Sequence, residues 1–335
     1  MPEIIGEYID RLCTVEMRGP GEHIPRGVLR TFYDAAVRAG DGKPLSYRAA
    51  ALLKNACARG DFVFVFCGAG VAPHLPCGET DGPLGGVAVA HALNAVSGAI
   101  PVFIFSDAHS GPIVSVARTA GFQILDPDSA MQRPRWAAVT EVYNELDPES
   151  AVASALIDRF KPVAMISVEC TGPNRDGTFC SILGFPAVGV PAYHNFFRLA
   201  SERGIPTVGV GDGGNEIGCG LIAETIREVR GIPIGGHDIA TTVGTDVLFF
   251  AGVSNWGGYG IAAMLAFLSG NEEALHDDET ERRMLEAVVA AGAAEGAEAS
   301  LNPNVDGIQK RVHIDLINTL HEMVHNSLTP ITRDF

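Results

Sequence analysis

The sequence predicts an α/β fold: a doubly wound, mostly parallel sheet in three Rossmann-like layers, with a helical N-terminal extension. Two observations carry this. From Asp61 onward, short runs rich in β-branched and aromatic residues alternate with longer amphipathic segments. Each gap between runs is also long enough for a crossover helix, which parallel neighbours require.

Taken in order, residues 1–60 read as the helical lead-in and 61–328 as a single α/β catalytic domain. Strands are expected at Phe62–Phe66, Pro101–Phe105, Phe122–Leu125, Val163–Val168, Pro206–Val210 and Asp246–Ala251, each a buried-strand length of apolar residues. Helices are expected at Gly85–Ser97, Ile113–Ala120, Glu149–Phe160, Tyr193–Arg203, Glu216–Val229 and Tyr259–Leu268. Asp277–Gly292 reads as a surface helix with a solvated charged start, and Ala291–Asp306, rich in Ala, Gly and Asn, as a loop. A helix from His313 to Asn326 closes the domain, and Thr329–Phe335 is expected to be a frayed tail.

Composition narrows the function. The 335 residues are 47% hydrophobic and 19% charged, enough apolar content for a sizeable core. A net charge of -16 argues against nucleic acid or an anionic membrane surface as partner, and suits a chain that binds cations. The first residues lack a basic segment followed by an apolar core, and no run approaches the length needed to span a bilayer. Seven cysteines, odd in number and without a C-x-x-C pair, suit a reducing compartment, so the expected location is the cytoplasm. A homo-oligomer is compatible with all of this.

Ligands of doubly wound sheets bind beyond the carboxyl ends of the strands, so the residues just after each predicted strand form the candidate site. The richest such turn is Gly209-Val210-Gly211-Asp212-Gly213-Gly214-Asn215-Glu216-Ile217-Gly218, where glycines let the backbone approach a ligand and acids supply oxygen ligands. A second is Gly78-Glu79-Thr80-Asp81-Gly82-Pro83, directly before a helix whose free N–H groups could hold an anion. Ser106-Asp107 with His109, Glu169, and Ser254-Asn255 complete the set.

Glu79, Asp81, Asp212 and Glu216 form an oxygen-rich ligand set for Mg²⁺ or Mn²⁺, which favour carboxylate over thiolate. Glu169, Asp107, His109 and Asp212 are the candidate catalytic groups, able to move protons or polarise a substrate at strand ends. Gly78, Thr80, Arg175, Gly213, Gly214, Asn215 and Asn255 are the candidate substrate contacts. Pyridoxal phosphate is not expected: its Schiff-base lysine is missing from the strand-end turns, the four lysines being Lys43, Lys54, Lys161 and Lys310. NAD is not expected either, because no G-x-G-x-x-G opens the first strand-to-helix turn. Cys67 and Cys170, both after strands, read as small buried residues rather than as a proton-exchanging thiol pair.

Three segments in this order, Gly78–Pro83, Gly209–Gly218 and Ser254-Asn255-Trp256-Gly257-Gly258-Tyr259, resemble the D-glutamate cyclase C-terminal domain family, with similarity from about residue 20 to 325. The resemblance implies a hydro-lyase that converts D-glutamate to 5-oxo-D-proline and water, in an α/β domain with a divalent-metal site. Two departures stand out: Asp176-Gly177 leads into Thr178-Phe179-Cys180-Ser181-Ile182-Leu183-Gly184 instead of an arginine-bearing stretch, and Cys219 replaces a common methionine. Family members from animal mitochondria carry an additional N-terminal domain, so the expectation here is the cyclase domain by itself. Residues alone leave two alternatives: a metal-dependent phosphohydrolase acting on a small phosphate ester, and a non-catalytic amino-acid or metal-binding protein.

Overall fold

The computed structural model describes residues 1–19, 26–133 and 135–329. Three helices come first: α1 (Pro2–Cys13), α2 (Val28–Ala39) and α3 (Leu45–Ala56). Then β1 (Phe62–Cys67), α4 (Pro83–Ser97), β2 (Ile100–Phe105), α5 (Ser110–Thr119), β3 (Gln123–Ile124), α6 (Pro127–Gln132) and β4 (Ala137–Val142) follow. The second half runs α7 (Val152–Phe160), β5 (Ala164–Val168), α8 (His194–Arg203), β6 (Thr207–Gly211), α9 (Ala223–Arg230), β7 (Val247–Phe250), α10 (Ser254–Ser269), α11 (Asp278–Ala290) and α12 (Lys310–Leu328).

The seven strands form one sheet in the order β3-β4-β2-β1-β5-β6-β7, every pairing parallel. The doubly wound α/β expectation is met. In β1 the pleat sends Val63, Val65 and Cys67 into one apolar cluster and Phe64 and Phe66 into the other, so both faces are covered. α7 and α8 cover the Phe64 face, while α4, α5 and α10 with the three N-terminal helices cover the Val63 face. The chain leaves β1 toward β2 but leaves β5 toward β6. Loops therefore diverge at the carboxyl ends of β1 and β5, which opens a crevice there.

Four differences from expectation have local causes. β4 and α6 are not among the expected elements: Ala137-Ala138-Val139-Thr140-Glu141-Val142 opens on two alanines and carries polar residues at two of its last three positions, and α6 is only six residues long. The run expected as a strand at Phe122–Leu125 is reduced to the two residues of β3, an edge that pairs with β4. The helix expected from Glu216 starts at Ala223, because Gly218 (φ 111°) breaks the chain and Glu216 is bound into its own turn. The helix expected from Tyr259 starts at Ser254, which turns Ser254–Tyr259 into a first turn packed against α4. Of the expected tail, residues 330–335 lie outside the described residues.

That packing explains the glycine pair. A Cβ on Gly258 would lie 2.4 Å from the Gly85 carbonyl oxygen, so α10 and α4 cross with backbones in contact, while Trp256 is buried and bonds His313. Gly258→Ala should destabilise the fold by about 1–3 kcal/mol through overpacking, read as a fall in denaturation midpoint without change in the denaturant slope.

Candidate active site

β1 ends at Cys67, and the chain loops out and returns at Asp81-Gly82 to lie across the strand ends. Only glycine allows that return: Gly82 has φ 95°, and a Cβ there would sit 2.4 Å from the Gly68 nitrogen and 2.9 Å from the Glu169 Cβ. Glu169 follows β5 with φ 61°, a left-handed conformation that a non-glycine residue adopts at a cost of about 1 kcal/mol or more. Strain of this kind persists where the surroundings fix the residue. Here Ser254 Oγ makes a very short hydrogen bond to Glu169 Oε2.

The N-terminus of α10 gathers the acids. Ser254 N–H donates to Asp81 Oδ2 and to Asp212 Oδ2, each at 3.0 Å, and Asn255 N–H donates to Asp81 Oδ1 at 2.7 Å. Unpaired first-turn amides and the helix dipole favour negative charge at this point. As a result, carboxylate oxygens of Asp81, Glu169 and Asp212 all lie within 4.8 Å of one another.

Burial is the largest cause of raised pKa values across the group. Asp81, Glu169 and Glu79 are pushed well above the carboxylate range by desolvation and then by neighbouring carboxylates. Asp212 is raised by burial too, but Arg18, in direct contact with its Oδ2, opposes the rise. Asp306 is raised to about 6 by burial, again opposed by Arg18, whose Nη2 lies 3.2 Å from Asp306 Oδ2.

These shifts set a pH dependence. A carboxyl whose folded pKa exceeds its unfolded value binds more protons when folded, so its stabilisation is full below the unfolded pKa and fades as pH rises through the folded one. For Asp306 the window runs from its ordinary value of 3.8 to about 6. The metal-free protein should lose stability across this range. Asp306→Asn should flatten that part of a melting-temperature profile against pH.

Glu79, Glu169, Asp212, Glu216 and Asp306 line a cavity of about 610 Å³ together with His109, Asn215 and Arg18, while Asp81 lies outside its lining, beside Glu169 and Asp212. The three converging carboxylates fit a hard divalent cation: all donors are oxygen, and a cation would relieve the charge that burial disfavours. Asp81 and Asp212 belong to the expected metal set and Glu169 to the expected catalytic set, and Glu79 and Glu216 of the expected metal set line the same cavity.

The model of the D-glutamate cyclase-like, C-terminal family matches residues 42–321. The chain belongs to that family. It is also 30% identical over 202 residues to the human protein named D-glutamate cyclase, mitochondrial; the match covers 58% of this chain and 31% of the human protein. The aligned part is thus a minor share of that longer relative. Among the described residues no helix is long and apolar enough to cross a membrane, and the seven cysteines are all free.

The cyclase-like chain places the remaining candidates unevenly. Glu216 turns back on its own loop, accepting from Gly213 N–H at 2.9 Å, Gly214 N–H at 2.8 Å and the Cys219 thiol at 3.3 Å. Those two glycine amides are therefore committed to Glu216. Asn255 is fully buried: its Oδ1 accepts from Gly82 and Gly85 N–H and its Nδ2 donates to Thr80 O, so it fills the helix N-terminus that was expected to hold an anion. Thr80 is buried and bonds Asn304 O, while Gly78 pairs with Ala294 beneath His109. His109 lines the cavity with Nε2 at 3.2 Å from Gly70 O, and burial lowers its pKa. Arg175 is 58% exposed, pairs with Asp238 and lies outside the cavity wall. Asp107 is likewise exposed and outside it.

Arg18 and Asp306 are the partners that strand-end reasoning did not reach. Ser254 belongs to the strand-end set, and its contact with Glu169 gives it a role that the sequence did not assign. Arg18, beside Gly19-Pro20-Gly21, and Asp306, in an Asp-Gly turn, sit in loops that touch the sheet only in three dimensions.

Proposed function

We propose that this cavity cyclises D-glutamate to 5-oxo-D-proline and water, a hydro-lyase reaction, with Asp81, Glu169 and Asp212 holding Mg²⁺ or Mn²⁺. The convergence of those three carboxylates at the head of α10, in a member of the cyclase-like family, carries the reading.

The reaction joins the amino nitrogen to the side-chain carboxyl carbon and expels one carboxyl oxygen as water. Two protons leave the ammonium and both finish on that oxygen. A bound divalent cation would supply Lewis-acid polarisation of the carboxyl group. Glu169, whose Oε2 is held by Ser254, takes the first ammonium proton. Glu79, a cavity-wall residue whose protonated form burial favours, gives its proton to the departing oxygen as the amine adds. Glu79 then recovers a proton from the ring nitrogen, and the proton on Glu169 completes the water. Burial raises the pKa of both carboxyls, which favours the protonated forms that carry a proton between nitrogen and oxygen.

Glu169→Gln should lower turnover of D-glutamate about 10²–10⁴-fold. It should also leave the metal-free protein as stable or more stable at pH 8, since it removes a group whose ionisation burial opposes. Parallel turnover and melting measurements check both. The phosphate-ester reading loses support because Asn255 occupies the amides that would hold phosphate. The seven free cysteines favour a reducing compartment for this activity.

A further inference from the structure

Two cavity-lining groups keep unused hydrogen-bonding capacity of opposite kinds. Arg18 is the only permanently charged cation among the described cavity-lining residues. Its Nε and Nη2 donate to Gly252 O at 3.2 and 3.1 Å, and Nη2 also meets Asp212 and Asp306, which fixes the guanidinium plane. Nη1 has no partner among the described residues, and the side chain is 19% exposed. Asn215 shows the complement: Nδ2 donates to Cys180 O at 2.9 Å, while Oδ1 is buried and without a partner. A buried carbonyl oxygen left unbonded costs about 1–3 kcal/mol, so it marks a place where a donor belongs.

A free guanidinium NH₂ group donates to a carboxylate, and an unpaired amide oxygen accepts from an ammonium. We propose that Arg18 and Asn215 form an α-amino-acid clamp, Arg18 taking the substrate α-carboxylate and Asn215 Oδ1 the ammonium. This rests on the cyclase reading above and deepens it. The side-chain carboxyl of the substrate is then left for the acidic cluster. The clamp makes Arg18 a specificity-determining residue: an ω-amino acid lacking the α-carboxylate gains nothing from it. Because Gly252 O, accepting from Nε and Nη2, and two acids hold the guanidinium, its Nη1 group is fixed before substrate arrives and little ordering is required on binding.

Two truncated ligands separate the halves of the clamp. Glutarate keeps both carboxylates of glutamate and lacks the amine; 4-aminobutyrate keeps the amine and lacks the α-carboxylate. Calorimetric titration of both into the full chain with Mn²⁺ present gives the test. For Arg18→Gln, glutarate affinity should fall about tenfold to a hundredfold while 4-aminobutyrate changes less than twofold. For Asn215→Ala the pattern should reverse, with 4-aminobutyrate weakened and glutarate retained. Equal weakening of both ligands in either variant would reduce that residue to general support of the pocket, and no weakening would remove it from the site. Either result overturns the clamp. If neither ligand nor D-glutamate binds the wild-type protein, the acidic amino-acid reading itself fails, an outcome distinct from the others.

Discussion

Asp212→Asn should reduce conversion of D-glutamate by about 10³-fold or more while the fold survives. Asp212 accepts from Ser254 N–H, contacts Arg18 and belongs to the carboxylate triad, so it is the one side chain joining the helix terminus, the cation and the proposed metal position. Asparagine keeps an oxygen for Ser254 but removes the charge that pairs with Arg18 and would bind metal. The guanidinium retains Asp306 and Gly252 O, so the stability loss should stay near about 1–3 kcal/mol. Mn²⁺ affinity, measured by titration, should fall together with turnover. Asp107→Asn is the control: Asp107 is exposed outside the cavity, and its variant should turn over within twofold of wild type. Equal losses in the two variants would break the link between the triad and the chemistry.

Asn255→Ala should be the most destabilising single change in the site. Asn255 is 0% exposed and ties three segments through Gly82 N–H, Gly85 N–H and Thr80 O. Gly82 N–H would keep Asp81 Oδ1, but alanine would leave one buried donor, Gly85 N–H, and one acceptor, Thr80 O, without partners, at about 1–3 kcal/mol each, so a total near about 4 kcal/mol is expected. Denaturant titration measures it. Asn255→Asp should be no rescue, because a carboxylate would be set beside Asp81 with its Nδ2 donor gone. A near-neutral alanine variant would mean that the return loop is held by something other than this side chain.

The sheet was readable because buried parallel strands are short, apolar and separated by crossover lengths, as at Phe62–Phe66 and Val163–Val168. β4 was not, since Ala137, Ala138 and polar neighbours carry little β signal and its pairing with β2 is a tertiary fact. In the site, Asp81, Glu169, Asp212 and Asn255 were legible through one rule, their position just beyond strand ends. The rule does not say which of its residues face the cavity. Asp107 follows β2 on the same edge of the sheet, but its side chain is exposed outside the cavity wall, whereas His109, two residues on, is part of that wall. Glu216 lies in the right turn, yet the amides of Gly213 and Gly214 bind its carboxylate first. Arg18 and Asp306 were beyond the rule altogether, because loops remote in sequence bring them to Asp212.

The central claim is a metal-dependent cyclase acting at the Asp81, Glu169 and Asp212 carboxylates. Proton NMR of metal-stripped protein incubated separately with D- and L-glutamate, with and without Mn²⁺ or Mg²⁺, tests it most directly. 5-Oxoproline is expected from the D isomer only, and only after metal is restored. Metal binding with no product from either isomer would contradict it.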